Sequence, residues 1–412
     1  KELESIGFSI ESSRKIADFD LYDQNASADF FDAEWMLGVT SGFDILIGNP
    51  PHGADMSGYI DKIVSIYNSY DSRKNSASFF MNLGERLSTP AGIIAYIIPK
   101  SLTFVDGWRK PREFVLDKNN LLVIIDISKS FENVLLEQVV VIYKNLVEKA
   151  DYTFQAGSGW HKSIELKGSV RKSLAKELDI IPCHLDNTKI GIYEKIKKDS
   201  VPLSEISRTF RGLPWQQRVS DKGVPIVRGR DIGRYCIKTL DTLIKLSKSD
   251  ENDKNVTILR QLKIISQNIV AHVMNPNDHI IIMATLDTEG LLTLDTCMNT
   301  ILTSQKYSSQ YVLALLNSKL ASWFYYWFIY NRAIRTMHFD SYYIGKLPVK
   351  KISSAEQGPF ISTVDKIIAV KKEHPEADTS HWEKEIDNLV YNLYGLTNEE
   401  INIIENSTKK SG

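Results

Sequence analysis

Asn49-Pro50-Pro51-His52 puts a carboxamide, two rigid rings and an imidazole into four consecutive residues, directly after the apolar run Phe43-Asp44-Ile45-Leu46-Ile47-Gly48. Such a run reads as a buried parallel strand. Two prolines then forbid both continued pairing and helix, so the chain must turn at the carboxyl edge of a sheet, where open α/β folds bind ligands. The residue types define a chemistry. The Asn49 side-chain oxygen and the Pro50 carbonyl are two acceptors, and the proline ring fixes the φ that aims the second. Two acceptors on one exocyclic NH2 draw its delocalised nitrogen towards tetrahedral geometry, so that its lone pair can attack an electrophile. The fourth position calls for a flat ring, and His52 supplies one. Taken alone, the tetrapeptide also fits an ordinary Pro-Pro loop.

The neighbouring segments build the frame that would position this loop. Asn75 to Leu87 has helical periodicity, and Ala91-Gly92-Ile93-Ile94-Ala95-Tyr96-Ile97-Ile98-Pro99 reads as the next buried strand. Leu121 to Asp126 and Gln138 to Tyr143 follow, with a short link containing Phe131 between them. That link cannot hold a crossover helix, so these two strands are expected to pair antiparallel.

Phe43 to His52 resembles the catalytic loop of the N6-adenine DNA methyltransferases that carry a carboxyl-terminal specificity domain, including the type IIG restriction-modification enzymes. Those usually read Asn-Pro-Pro-Tyr or Asn-Pro-Pro-Phe, so His52 is a departure. An imidazole offers less stacking area, against about 1–3 kcal/mol for an aromatic–base stack. The resemblance implies an α/β fold, with a partial Rossmann-like class I methyltransferase domain over residues 1–180. A mixed α+β DNA specificity domain with a C-terminal helical segment would follow over 181–412. It implies transfer of a methyl group from S-adenosylmethionine to adenine N6 in double-stranded DNA, on a base flipped out of the duplex. Asn49, Pro50, Pro51 and His52 would form the catalytic loop, with Phe131 against the flipped base or capping the sheet. Tyr22 to Met36 resembles the segment before the catalytic strand, which places Asp29 and Phe30 against the cofactor adenine. Phe79 would line the cofactor pocket or pack in the core. Enzymes acting on cytosine N4 more often open this loop with Ser or Asp, so adenine is favoured.

No Gly-x-Gly precedes Asn49, although these enzymes need a glycine-rich turn near the methionine end of the cofactor. The expectation is therefore a carboxyl-terminal piece, inactive by itself, whose missing amino-terminal part supplies that turn and a nuclease. Three widely spaced cysteines, Cys183, Cys236 and Cys297, suggest neither a disulfide framework nor a zinc cluster, and no metal site is expected. The apolar stretch Tyr311 to Tyr330 is interrupted by Asn317, Ser318 and Lys319, so it reads as a buried helix in a cytoplasmic protein with no membrane partner.

A net charge of -1 gives no global attraction to nucleic acid, so DNA contacts must come from local patches. The Gly-containing segment Gln155 to Trp160 marks a composition shift, followed by a charged helix-like run to Glu177. From Arg208 to Lys238 eight basic residues face only Asp221 and Asp231, with Phe210, Trp215 and Tyr235 interleaved. Arg211, Trp215, Arg228 and Arg230 are the expected DNA contacts of a loop-rich surface, against the plainer reading of a solvated face. Lys100 and Lys129, beside the sheet edge, are expected phosphate contacts.

Val227 to Ile232, Tyr311 to Leu320 and a closing strand at Tyr343 to Val349 resemble recurrent elements of the specificity domain. Ile386 to Thr397 resembles a terminal amphipathic helix with a Gly stop. Pro182-Cys183 and Glu132-Asn133-Val134 match motifs of cytosine-C5 methyltransferases but in the wrong order. Glu383-Lys384 is in the wrong setting for a nuclease. The competing function is a non-catalytic DNA-binding specificity module.

Overall fold

The computed structural model describes residues 1–20, 22–23, 38–52, 58, 75–128, 136–159, 163–274, 278–333 and 337–407. Phe43–Gly48 forms a strand (β1) that pairs parallel with Ser88–Pro99 (β2). Asn120–Ser128 (β3), Gln138–Lys144 (β4), Thr153–Ser158 (β5) and Glu165–Arg171 (β6) complete a six-stranded sheet of order β1-β2-β4-β3-β5-β6. As the short link requires, β3 and β4 pair antiparallel. β4 is also antiparallel to β2, so β2 and β3 run the same way on either side of it. Ser76–Leu87 (α1) begins at Asn75, whose side chain accepts from the Ala77 N–H at 3.0 Å, and it buries Ala77 and Met81.

The sheet departs from the sequence reading in places. Among the described residues β1 lies at the edge of the sheet, with Ile45 and Ile47 exposed by 62% and 82%. An apolar run reports that a strand suits a buried face; whether both faces are covered is decided by elements distant in sequence. Residues 155–158, read as a composition shift, lie in β5, parallel to β3. Residues 165–171, read as helix-like, form strand β6, and only Lys172–Leu178 (α2) is helical. β6 is an outer strand with mostly uncovered residues, so its charge content mimics a helix surface.

Beyond residue 180 an antiparallel sheet forms from Ser207–Arg211 (β7), Lys263–Gln267 (β8), Ala284–Asp287 (β9) and Cys297–Leu302 (β10), in the order β9-β8-β10-β7. The apolar stretch becomes two buried helices, Ser309–Asn317 (α3) and Lys319–Phe324 (α4), and then a wider turn over Tyr325–Ile329. They break at Ser318, whose hydroxyl accepts from the Ala321 N–H at 3.1 Å and so starts α4. Among the described residues no helix is long and apolar enough to cross a membrane.

The closing strand expected over Tyr343 to Val349 is shorter: Ser341–Ile344 is helical and only Pro348–Lys350 is a strand. Asp340 decides this by capping that helix, accepting from the Tyr342 N–H at 3.0 Å. Gly358–Glu373 (α5) and Ser380–Leu393 (α6) follow. α6 contains the expected amphipathic face and stops at Gly395, φ +64°. It is not terminal, because Asn398–Asn406 (α7) comes after it. One apolar cluster runs from Ala77 in α1 to Ile404 in α7, so both parts share a core.

Candidate functional site

β1 delivers Gly48 and Asn49 to the carboxyl edge of the sheet. Gly48 is there because of a close approach: a Cβ would lie 3.0 Å from Tyr96 Cε1, and one on Gly84 of α1 would lie 2.6 Å from Tyr96 Oη. The Tyr96 ring is thus wedged between strand and helix. Asn49 is exposed and Pro50 buried. Neither the Asn49 side chain nor the Pro50 carbonyl makes a hydrogen bond among the described residues.

The rest of the loop is tied down. The Pro51 carbonyl accepts from Ser76 Oγ at 2.5 Å, which fastens the turn to the start of α1. His52 Nε2 lies 3.1 Å from the Ile97 carbonyl, and Nδ1 lies 3.2 Å from the Gln138 amide nitrogen. A carbonyl can only accept, so Nε2 carries the proton and Nδ1 accepts from Gln138. Both ring nitrogens are held by β2 and β4, which fixes the plane of the imidazole. Gln138 escaped the sequence analysis. Its signal was a polar residue opening an otherwise apolar strand, opposite Pro99 across the ladder.

Beside these strand ends lies a buried charge cluster. Lys100, next after Pro99, is 2% exposed, with Nζ 2.7 Å from Asp126 Oδ2 and 3.1 Å from Glu137 Oε1. The expected phosphate contact of Lys100 is therefore overturned. Two carboxylates from neighbouring strand ends meet the ammonium, and only such pairing offsets its desolvation. Burial works to lower the Lys100 pKa, but Asp126 and Glu137 outweigh it and leave the group above its ordinary value. Burial likewise works to raise Asp126, yet Lys100 and a hydrogen bond from His184 hold that carboxyl well below the usual range.

His184 Nε2 donates to Asp126 Oδ2 at 2.7 Å, and burial pushes its imidazole down to about 4 despite that carboxylate. Segment 331–332 closes the cluster. The Arg332 carbonyl accepts from Lys100 Nζ at 3.3 Å, and Arg332 Nη1 lies 3.5 Å from His184 Nδ1. The Asn331 side chain donates to the Ile181 carbonyl at 2.9 Å and accepts from the Cys183 N–H at 3.1 Å. Asn331 and Arg332 hold φ of +48° and +57°, a conformation that costs about 1–3 kcal/mol per residue and persists only where the surroundings impose it.

The basic stretch is partly a surface. Arg211 is exposed, with Nε donating to the Asp295 carbonyl at 2.6 Å. Trp215 is half-buried beneath the Arg218 guanidinium, which sits 4.2 Å from its ring centre and pairs with Asp250 at 2.8 Å. The Gly229 N–H donates to Thr296 Oγ1 at 2.9 Å, so the turn at Asp295 and Thr296 brings Arg211 and the Arg228–Arg230 segment to the same region. The Arg230 side chain is 66% exposed, whereas Arg228 is half-buried. Arg234 turns the other way and pairs with Glu383 at 2.7 Å, which also removes Glu383 from any nuclease site.

Asp29, Phe30, Lys129, Phe131 and Glu132 lie outside the described residues. Phe79 is buried on α1. Burial pushes the Cys183 thiol up to about 12, opposite to what a nucleophilic thiolate needs. Among the described residues no three His, Cys, Asp or Glu side chains are grouped to hold a metal ion.

Residues 3–132 match the family described as Eco57I restriction-modification methylase, and residues 224–349 match the TaqI-like C-terminal specificity domain. No curated protein matches the chain significantly. Among solved structures, the type IIL restriction-modification enzyme MmeI in complex with DNA shares the fold with a TM-score of 0.53 and 10% identity, over 88% of this chain and 56% of that one. The type IIG restriction endonuclease BpuSI aligns at a TM-score of 0.35 and 11% identity, over 85% of this chain and 54% of that one. A type I restriction-modification methyltransferase subunit from Streptococcus thermophilus aligns at 0.23 and 19%, over 31% of this chain and 29% of that one. The chain spans little more than half the length of MmeI or BpuSI. The resemblance read from the catalytic loop is thus borne out: the chain joins an Eco57I-type restriction-modification methylase domain to a TaqI-like C-terminal specificity domain.

Proposed function

We propose that the chain carries the amine-holding and DNA-reading parts of a site-specific adenine-N6 DNA methyltransferase, working in the cytoplasm as part of a restriction-modification enzyme. Residues 1–180 would serve catalysis and 181–412 recognition, with S-adenosylmethionine as methyl donor. The observation that carries this reading is the pair of acceptors at Asn49 and Pro50 that no hydrogen bond occupies among the described residues, at the carboxyl edge of the sheet and next to an imidazole whose two nitrogens are already engaged. In this reading the N6 hydrogens of adenine meet Asn49 Oδ1 and the Pro50 carbonyl, and the base stacks on the face of His52. Phe131 forms the opposite wall. Asp29, Phe30 and Phe79 line the cofactor side, Lys129 meets a phosphate, and Arg211, Trp215, Arg228 and Arg230 face the DNA.

The deciding experiment compares Asn49→Ala with the unsubstituted sequence, each within the natural full-length polypeptide, using base-resolved detection of methylated DNA. Loss of one of two acceptors is expected to slow methyl transfer by at least about 100-fold, the scale seen when one preorganised hydrogen-bonding group is removed from a reacting centre. DNA affinity should stay within about twofold, a change of less than 0.5 kcal/mol. Undiminished methylation overturns the reading. Methyl groups found on cytosine N4 would keep the loop's role and overturn the base assignment. Sequence-specific DNA binding with no methylation by the unsubstituted polypeptide would leave a specificity module without catalysis.

A further inference from the structure

We propose that Lys100 is a positioning residue through which segment 331–332 of the recognition half sets the His52 ring, and with it the loop from Asn49. This rests on the catalytic reading above only for its activity readout. Lys100 Nζ touches three elements at once: Asp126 near the end of β3 at 2.7 Å, Glu137 before β4 at 3.1 Å, and the Arg332 carbonyl at 3.3 Å. Its own N–H donates to the Glu137 carbonyl at 2.9 Å, so the ends of β2 and β4 are doubly joined.

Both supports of His52 hang from that joint. Gln138, which holds Nδ1 at 3.2 Å, is the residue after Glu137, and Ile97, which holds Nε2 at 3.1 Å, lies three residues before Lys100 on β2. On the other side His184 bridges Asp126 at 2.7 Å and the Arg332 guanidinium at 3.5 Å. The left-handed backbone at Asn331 and Arg332 is the turn that presents the Arg332 carbonyl to Lys100. A buried ion pair is no more stabilising than well-packed apolar side chains would be. What it does provide here is a fixed separation between three chain segments that are remote in sequence.

Lys100→Met alone strands two buried carboxylates and threatens the fold, so the test uses Lys100→Met/Glu137→Gln, which removes one charge of each sign. The first readout is nitrogen NMR of histidine-labelled protein, with His52 identified through His52→Gln. Expected is loss of the single Nε2–H signature of His52 while the unfolding temperature stays near that of the unsubstituted protein. The second readout is methyl transfer within the natural full-length polypeptide: kcat is expected to fall about tenfold to a hundredfold with KM for DNA unchanged, since a misplacement of about 1 Å near a reacting centre has that scale. A folded double variant with unaltered His52 resonances overturns the proposal, as does a raised KM at unchanged kcat. If the unsubstituted protein transfers no methyl group, the catalytic reading fails, and the His52 spectrum alone decides this inference.

Discussion

Lys100 and Arg230 each follow an apolar strand by one to three residues, yet Lys100 is 2% exposed and the Arg230 side chain 66%. The difference lies in what converges on them. β3 and the entry to β4 bring Asp126 and Glu137 to the same sheet edge as Lys100, and segment 331–332 covers the group. Asp231, the carboxylate next to Arg230, is already committed: it accepts from the Arg228 N–H at 2.8 Å and from Thr239 Oγ1 at 3.2 Å, and lies 3.6 Å from Arg230. The lesson is that a cation's fate depends on strands far away in sequence. One basic group becomes internal structure, and the other stays available to a polyanion.

The sharpest way to break this comparison is to remove each cation and measure urea unfolding. Lys100→Met should destabilise by about 3–5 kcal/mol, because it leaves buried carboxylates unpaired, whereas Arg230→Met should change stability by no more than about 0.5 kcal/mol. Equal effects would erase the distinction. Acid offers a second test. His184 binds a proton in the folded protein only near pH 4, against about 6.5 when unfolded, so the unfolded state takes up more protons between those values. The stability it contributes is complete above pH 6.5 and is lost as pH falls towards 4, by on the order of 3 kcal/mol. Asp126, held low by Lys100, acts in the same direction. His184→Gln should flatten this slope in denaturation series run from pH 7 to pH 4.5.

A second buried charge group should respond in the opposite sense. Asp387 on α6 is 2% exposed, and burial pushes it up to about 6 even though its Oδ1 accepts from the Lys319 N–H at 2.9 Å. Its folded pKa lies above the unfolded value. The associated stability is present below about pH 4 and is lost as pH rises through 6, so Asp387→Asn should gain about 2–3 kcal/mol at pH 8. A loss in that variant would show that its ion pairing with Lys319 outweighs its desolvation. The smallest effect belongs to the surface. Arg230→Ala should relax discrimination between DNA sequences by about 1–3 kcal/mol if that side chain reads a base, measured by competition binding at fixed salt.

What could be read from the sequence was mostly local. Apolar runs and turn chemistry gave β1, β2, α1 and the antiparallel pairing of β3 with β4, since these follow from residue order and from how far a short link can reach. The acceptors at Asn49 and Pro50 were legible for the same reason. The buried state of Lys100 and the hold of Gln138 on His52 were not, because each depends on contacts between residues 37 to 232 positions apart. β6 was misread because an outer strand lacks the alternation that marks a half-buried one. The break at Ser318 was visible as a polar interruption, but its use as a helix cap emerges only when the hydroxyl meets the Ala321 N–H.

The bond from Lys100 to residue 332 ends on a main-chain oxygen, and every amino acid has one. Replacing the side chain at that position therefore removes the guanidinium beside His184 but leaves the bond to Lys100 in place, provided the backbone keeps its left-handed bend. Glycine, asparagine and aspartate tolerate that bend best, so replacements that keep the Lys100 bond should be found first among them.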